Sequence, residues 1–399
     1  MKLGLFTIIA IVYFFFNSFG LPFGLRYTLF LAPFLFFQVS KTYWRILLLY
    51  VLLAFFYFII HYVNGIVDYF EYFKSFLLHS AVMFLVIGFY HRLKKKPESV
   101  FEAIRNLTWL NLIATLFAVC VIWIPIVSDK IWRMDYSADS SPQLRMLTYE
   151  PSYYCLLLAP LLFYYISKIE KNAKLTNVIL LGSLVASLLL SRSLGVIACI
   201  ILSLAINYVR LDFLKKKRNL QLLFFTFLIV TTGLATLVIV NPDNALVIRT
   251  LNFINGKDIS GSARVFDAWV LGYRILEQKS YLFGIGWGHI KILGHEIISE
   301  FYNYGSSLNK RVTIPNSAAE FFVFFGFTGL FLKVWVELHL FRKTRVRTSR
   351  YRSFLFWFIF IYQFTGSFSS NLAEYVIWVL AFTQIRIPDS GVGTEKPVT

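Results

Sequence analysis

Residues 188–202 read LLLSRSLGVIACIIL: two apolar runs joined by Ser-Arg-Ser, with Arg192 at the centre. The setting decides how to read them. Of the 399 residues, 58% are hydrophobic, 19% aromatic and only 15% charged, whereas a soluble domain is about one quarter charged. The stretch therefore reads as a tight hairpin between two membrane spans. Crossing about 30 Å of hydrocarbon takes roughly 17 to 25 apolar residues, and such stretches recur along almost the whole chain. We expect an all-α polytopic membrane protein.

Spans are expected near residues 3–19, 22–39, 44–63, 73–90, 107–127, 150–167, 176–190, 193–209, 220–240, 316–337, 353–369 and 371–387, about twelve in all. Residues 1–240 would hold nine of them, 241–315 one large loop, 316–387 the last three and 388–399 a short tail. Lys2 and the apolar run after it resemble a signal peptide, but no small-residue cleavage site follows, so an uncleaved first helix is expected. Cys120, Cys155 and Cys199 all fall inside apolar spans and read as small core residues.

A net charge of +18 would point to nucleic acid in a soluble protein. Here the cations sit in short runs between spans: HRLKKK (91–96), KIEKNAK (168–174), RLDFLKKKR (210–218) and RKTRVRTSRYR (342–352). With the N-terminus in the cytoplasm all four lie inside, while the opposite short loops are nearly free of Lys and Arg, as the positive-inside rule demands. The charge is a topology signal, and no nucleic-acid partner is expected. Both termini fall on the cytoplasmic side, and two longer segments, 128–149 and 241–315, face outward.

On this topology several ionisable residues gather at the outward level. Arg192 lies in its hairpin, Glu150 precedes Pro151 at the start of a span, and Glu320 and Glu374 lie near the outward starts of two others. Ionisable groups at membrane depth are costly and usually face a protein-lined or watery cavity. Simpler roles exist for each. Arg192 can snorkel to bulk headgroups, Glu150 can complement a helix N-terminus, and Glu320 and Glu374 can be structural partners of an interior Arg.

In the outward loop, SGSARVFDAWVLGYRILEQK (260–279) carries an apolar stripe at Val265, Trp269, Tyr273 and Leu276 and a polar face with Arg264, Asp267, Arg274 and Gln278. That spacing is helical. With Ser262 as its cap it reads as an amphipathic helix lying on the membrane or covering the cavity; an Arg264–Asp267 pair within the helix is the plainer role for Arg264. LFGIGWGHI (282–290) follows, whose glycines permit a close backbone turn but, with no strand before them, make no nucleotide motif. His289 could serve as a base or as a hydrogen-bonding contact. No dense Asp motif points to a divalent cation, so neither metal nor cofactor is expected.

The order of these pieces resembles the Wzy O-antigen polymerase family and, more broadly, the superfamily it shares with the O-antigen ligases. The matching stretches are YEPSYYCLLLAP at the start of a span, SRS in an outward hairpin, SGSAR and FGIGWG in one large loop, and NSAAEFFVFFGFTGL opening the next span, over roughly residues 145–335. Ligases usually carry a His just before the Asn of the last motif; here Pro315 precedes Asn316, which favours polymerase over ligase.

The resemblance implies a GT-C-like fold and a metal-independent, inverting glycosyltransferase of the bacterial inner membrane. It would join undecaprenyl-diphosphate-linked oligosaccharides at the periplasmic face, in membrane lipid and beside a chain-length regulator protein. Arg192 and Arg264, with Arg249 as a weaker third, match positions that would hold the diphosphate, since guanidinium binds phosphate through two parallel hydrogen bonds. The acceptor hydroxyl needs a base within reach, for which Glu150 ranks above His289; Asn316, Glu320 and Glu374 would line the cavity. The competing class is a lipid-linked-oligosaccharide flippase, which should show two related halves and helices broken near mid-membrane.

Overall fold

The computed structural model describes residues 4–16, 43–134, 142–209, 259–303 and 312–385. The spans expected at 22–39 and 220–240, and Arg249, lie outside them. Among the described residues the chain is helical: α1 (Leu5–Phe16), α2 (Trp44–Val63), α3 (Tyr69–Lys95), α4 (Pro97–Cys120), α5 (Pro125–Ile131), α6 (Pro151–Ile169), α7 (Leu175–Ser191) and α8 (Leu194–Tyr208), then α9 (Ala268–Leu276), α10 (Ile290–Phe301), α11 (Ser317–Lys343), α12 (Arg350–Tyr362) and α13 (Leu372–Phe382). A two-residue antiparallel ladder pairs Trp132 with Leu144.

Five of these helices, α2, α3, α4, α6 and α11, are long and apolar enough to cross a membrane, and α1, α7, α8 and α13 are shorter apolar helices. The chain is thus an all-α, multi-pass membrane protein by length and composition. Several expected boundaries move. The span expected at 107–127 begins at Pro97, which suits the first helical position because it has no N–H to satisfy, and ends at Cys120; Pro125 then opens the separate α5. The last span shortens to α13, whose cap Asn371 accepts from the amide of Ala373.

Packing follows from which helices are apolar all round. In α6 every residue from Pro151 through Tyr165 is buried, as expected of a helix enclosed on all sides, whereas α2 turns Leu48, Leu52, Phe55 and Ile59 outward, a stripe suited to lipid. Small polar groups join the inner helices. Asn111 of α4 donates to Ser187 of α7 (3.1 Å) and accepts from Tyr154 of α6 (2.5 Å), and Thr115 meets the same Ser187 (2.9 Å). Such contacts substitute between membrane helices for the hydrophobic drive that lipid removes. A second core joins α2, α3, α9, α10 and α11.

Within α11, Gly326 takes φ +65° and ψ −165° and breaks the helix. Residues 281–286 wedge into the break: Phe327 and Thr328 donate to the carbonyls of Tyr281 and Leu282 (2.9 and 3.1 Å), while Ile285 and Gly286 donate to those of Val323 and Phe324 (2.9 and 3.1 Å). Non-helical backbone in a span is tolerable only when its polar groups are satisfied within protein, and this strap satisfies them. Its glycines are required by the approach. A Cβ on Gly284 (φ +81°) would lie 2.4 Å from the carbonyl of Phe324, and one on Gly326 would lie 2.4 Å from that of Leu282.

The helices have two distinct ends. At one, Arg350 pairs with Glu170 (2.8 Å) and Arg352 donates to the carbonyls of Ala381 (2.9 Å) and Thr344 (2.8 Å), so the basic runs at 168–174 and 342–352 share a face. The starts of α6 and α11 and the turn joining α12 to α13 meet at the other.

Candidate functional site

The site assembles at the end away from those basic runs. Glu150 occupies the N-cap position of α6 with extended backbone (φ −136°, ψ 153°), yet its carboxylate caps no amide of that helix. It accepts instead from Arg264 Nη2 (2.9 Å) and Ser152 Oγ (3.2 Å). Both partners of the ion pair are about one quarter exposed: 25% each. Arg264 is therefore not paired within its own helix, because Asp267 takes the hydroxyls of Ser262 (3.0 Å) and Tyr302 (3.2 Å).

Ser262 is no cap either. Its backbone is already helical (φ −57°, ψ −48°), and a π turn over Ala263–Asp267 follows before α9 begins. The buried face of α9 is Ala268, Leu271, Gly272, Ile275 and Leu276, so only Leu276 of the expected stripe is fully buried, and Tyr273 stays 49% exposed. The wider turn of a π segment shifts the face that later residues present. Arg264, in the turn before α9, reaches Glu150, while α9 itself packs on α11.

Around the pair lies a narrow cleft of about 10 Å³, bounded by Glu150, Arg264, Ser152, Tyr153, Tyr362 and Asn371 among others. Burial disfavours the Arg264 charge, but Glu150 and the nearby Tyr362 outweigh it and raise the guanidinium's pKa above its ordinary value.

Asn316 holds this geometry together. Fully buried at 0% exposure, it caps α11 by accepting from Ala319 N (2.9 Å) and donates through Nδ2 to the carbonyls of Arg264 and Phe364, both 2.7 Å. One side chain thus ties the Arg264 turn, the α12–α13 turn and the start of α11. Next to it, Ser317 N donates to Gly366 O (3.0 Å) and Ser317 Oγ to Glu374 (3.0 Å).

The remaining expected residues fall into three places. Arg192 ends α7 in the left-handed region (φ 52°, ψ 30°). Its turn abuts α6 through Ser191, whose hydroxyl is 2.6 Å from Cys155 Sγ, so it neighbours the start of the helix that Glu150 opens. Glu320 accepts from Ser369 N (2.6 Å), and Glu374 lies 3.7 Å from Lys333, which also pairs with Glu337 (2.7 Å) and meets Gln363. His289 belongs to the second core. Its Nδ1 lies 2.6 Å from Ile285 O, and its Nε2 lies 3.4 Å from Asp68 N and 3.3 Å from Asp68 O. It does not join Glu150.

Sequence reasoning missed Ser152, Tyr362, Lys333 and Glu337. Lys333 and Glu337 had a signal, an i, i+4 pair of opposite charges inside an apolar run. Tyr362 had none. Beside the cleft, Trp269, Tyr273, Arg274, Glu277, Gln278 and Glu300 bound an open groove of about 810 Å³ between α9 and α10. No protein-family model matches the chain, and no curated protein matches it.

Proposed function

We propose that the chain is an O-antigen polymerase, an inverting glycosyltransferase that elongates undecaprenyl-diphosphate-linked oligosaccharides at the outer face of the bacterial inner membrane. The observation that carries this is the Glu150–Arg264 pair at 2.9 Å, set in a cleft at the end of the helices away from the basic runs. The pair is both latch and machinery. An arriving diphosphate competes with Glu150 for the guanidinium, to which phosphate can bind in two-pronged fashion. Once Arg264 turns to phosphate, Glu150 is released to accept a proton.

The chemistry then balances. The acceptor hydroxyl oxygen attacks the donor's anomeric carbon and its proton passes to Glu150. The bond from that carbon to the phosphate oxygen breaks, and its electron pair leaves with the lipid diphosphate, with inversion at carbon. Arg264, supported by Arg192 in the neighbouring turn, stabilises the charge that grows on the leaving group. The groove bearing Trp269 and Tyr273 offers faces on which sugar rings can stack, with Glu277, Gln278 and Glu300 as hydrogen-bonding partners.

Transport has one observation on its side, the break in α11 at Gly326. Transporters use such breaks to expose backbone groups to ions or substrate; here the strap at 281–286 occupies them. The discriminating experiment supplies purified protein with a lipid-diphosphate-linked repeat unit and no ion gradient. A polymerase yields a ladder of longer lipid-linked chains and free lipid diphosphate. A flippase yields neither.

A further inference from the structure

At the basic end of the helices lies a cavity of about 890 Å³ that the proposed chemistry does not use. Lys171, Arg345, Arg350 and Arg352 line it, against one carboxylate, Glu170, which already pairs with Arg350 and accepts from Tyr208. The same wall contains the first turn of α12, whose N-cap residue Ser349 gives those amides no side-chain cap. A helix N-terminus with open amides favours an anion.

A buried guanidinium supplies independent evidence of a ligand. Buried polar groups are almost always paired, so each one left open calls for an explanation. Arg352 is 2% exposed and has no carboxylate partner among the described residues. Its Nε and Nη2 cap the ends of α13 and α11 through the carbonyls of Ala381, Phe382 and Thr344, which leaves Nη1 without a hydrogen bond among the described residues. Arg345, left-handed at φ 50°, is likewise unpaired there.

We infer that this cavity binds the phosphate of an anionic phospholipid headgroup. Guanidinium groups and open helix amides are all donors, and tetrahedral phosphate accepts from several of them at once. The volume exceeds that of a lone phosphate, and the cavity sits at the basic ends of α6 and α11, two helices long and apolar enough to cross a membrane. Basic pockets between membrane helices commonly hold such headgroups.

The test uses the full chain, purified and delipidated in detergent, with lipid retention followed by native mass spectrometry. Phosphatidylglycerol, phosphatidylethanolamine and inorganic phosphate are titrated separately, against wild type and the variants Arg345→Gln and Arg345→Lys. Both variants keep the Glu150–Arg264 end unchanged. Wild type should prefer phosphatidylglycerol over phosphatidylethanolamine by about tenfold, and Arg345→Gln should lose roughly fivefold of it, the scale of one cation near a charged lipid. Arg345→Lys should keep most of the preference at an unchanged melting temperature. Equal retention of the two lipids, or a full preference surviving in Arg345→Gln, overturns the inference. Binding of inorganic phosphate without any preference between the lipids overturns the headgroup assignment.

Discussion

Replacing Asn316 with Ala tests how the site is held. The structure assigns it three hydrogen bonds: the cap to Ala319 N and two donated to the carbonyls of Arg264 and Phe364. Losing an Asn cap costs about 1 kcal/mol, and each neutral hydrogen bond contributes about 1 kcal/mol net. With no exposure at this position, the orphaned carbonyls cannot turn to bulk water, so the total should be about 3 kcal/mol. Asn316→Asp separates the contributions. Its carboxylate retains the cap but cannot donate, and it sets a charge against two carbonyl oxygens, so it should be no more stable than Asn316→Ala. Asn316→Ser should regain only the cap, about 1 kcal/mol. Thermal unfolding in detergent reads the order, and transferase activity should fall in all three because the Arg264 turn loses its tether. An Asn316→Ala protein that melts with wild type would refute the reasoning.

Lys333→Met should destabilise by roughly 3 to 5 kcal/mol, as expected when one partner of a buried ion pair is removed, because it leaves Glu337 and Glu374 without their shared cation; the melting temperature checks this. Gly284→Ala should reduce folded yield sharply, since its φ of +81° and the Phe324 carbonyl at 2.4 Å both exclude a Cβ, whereas Gly182→Ala, where a Cβ meets nothing within 4 Å, should be tolerated. Arg264→Lys keeps a charge but not the planar fork, and should lose most transferase activity at normal expression. Reporters fused after Tyr281 and Arg347 should emerge on opposite sides of the membrane; the same side for both would undo the arrangement of ends.

The membrane class was legible in composition, and the shared face of the basic runs at 168–174 and 342–352 in their spacing, because both are sums over many residues; the run at 210–218 lies outside the described residues. Boundaries were less so. Pro97 and Pro125 could have placed the ends of α4, but apolar content continues through the 121–124 turn and masks it. The Glu150–Arg264 contact joins residues more than a hundred positions apart, so local pattern could offer only the nearer partner Asp267, which the fold engages elsewhere. The glycines of residues 282–290 were legible as a close approach but not as a strap, since their partner is a break at Gly326 inside an otherwise regular apolar run.

The central claim is that Glu150 accepts the acceptor's proton once a diphosphate has drawn Arg264 away. The most direct measurement is the ladder formed from a lipid-diphosphate-linked repeat unit by purified wild type and Glu150→Gln, with donor binding measured on the same preparations. The account predicts that Glu150→Gln slows elongation by about a hundredfold or more, on the scale of a lost general base, while donor binding stays equal or tightens because Arg264 no longer has a carboxylate competitor. Elongation by Glu150→Gln at the wild-type rate would contradict it.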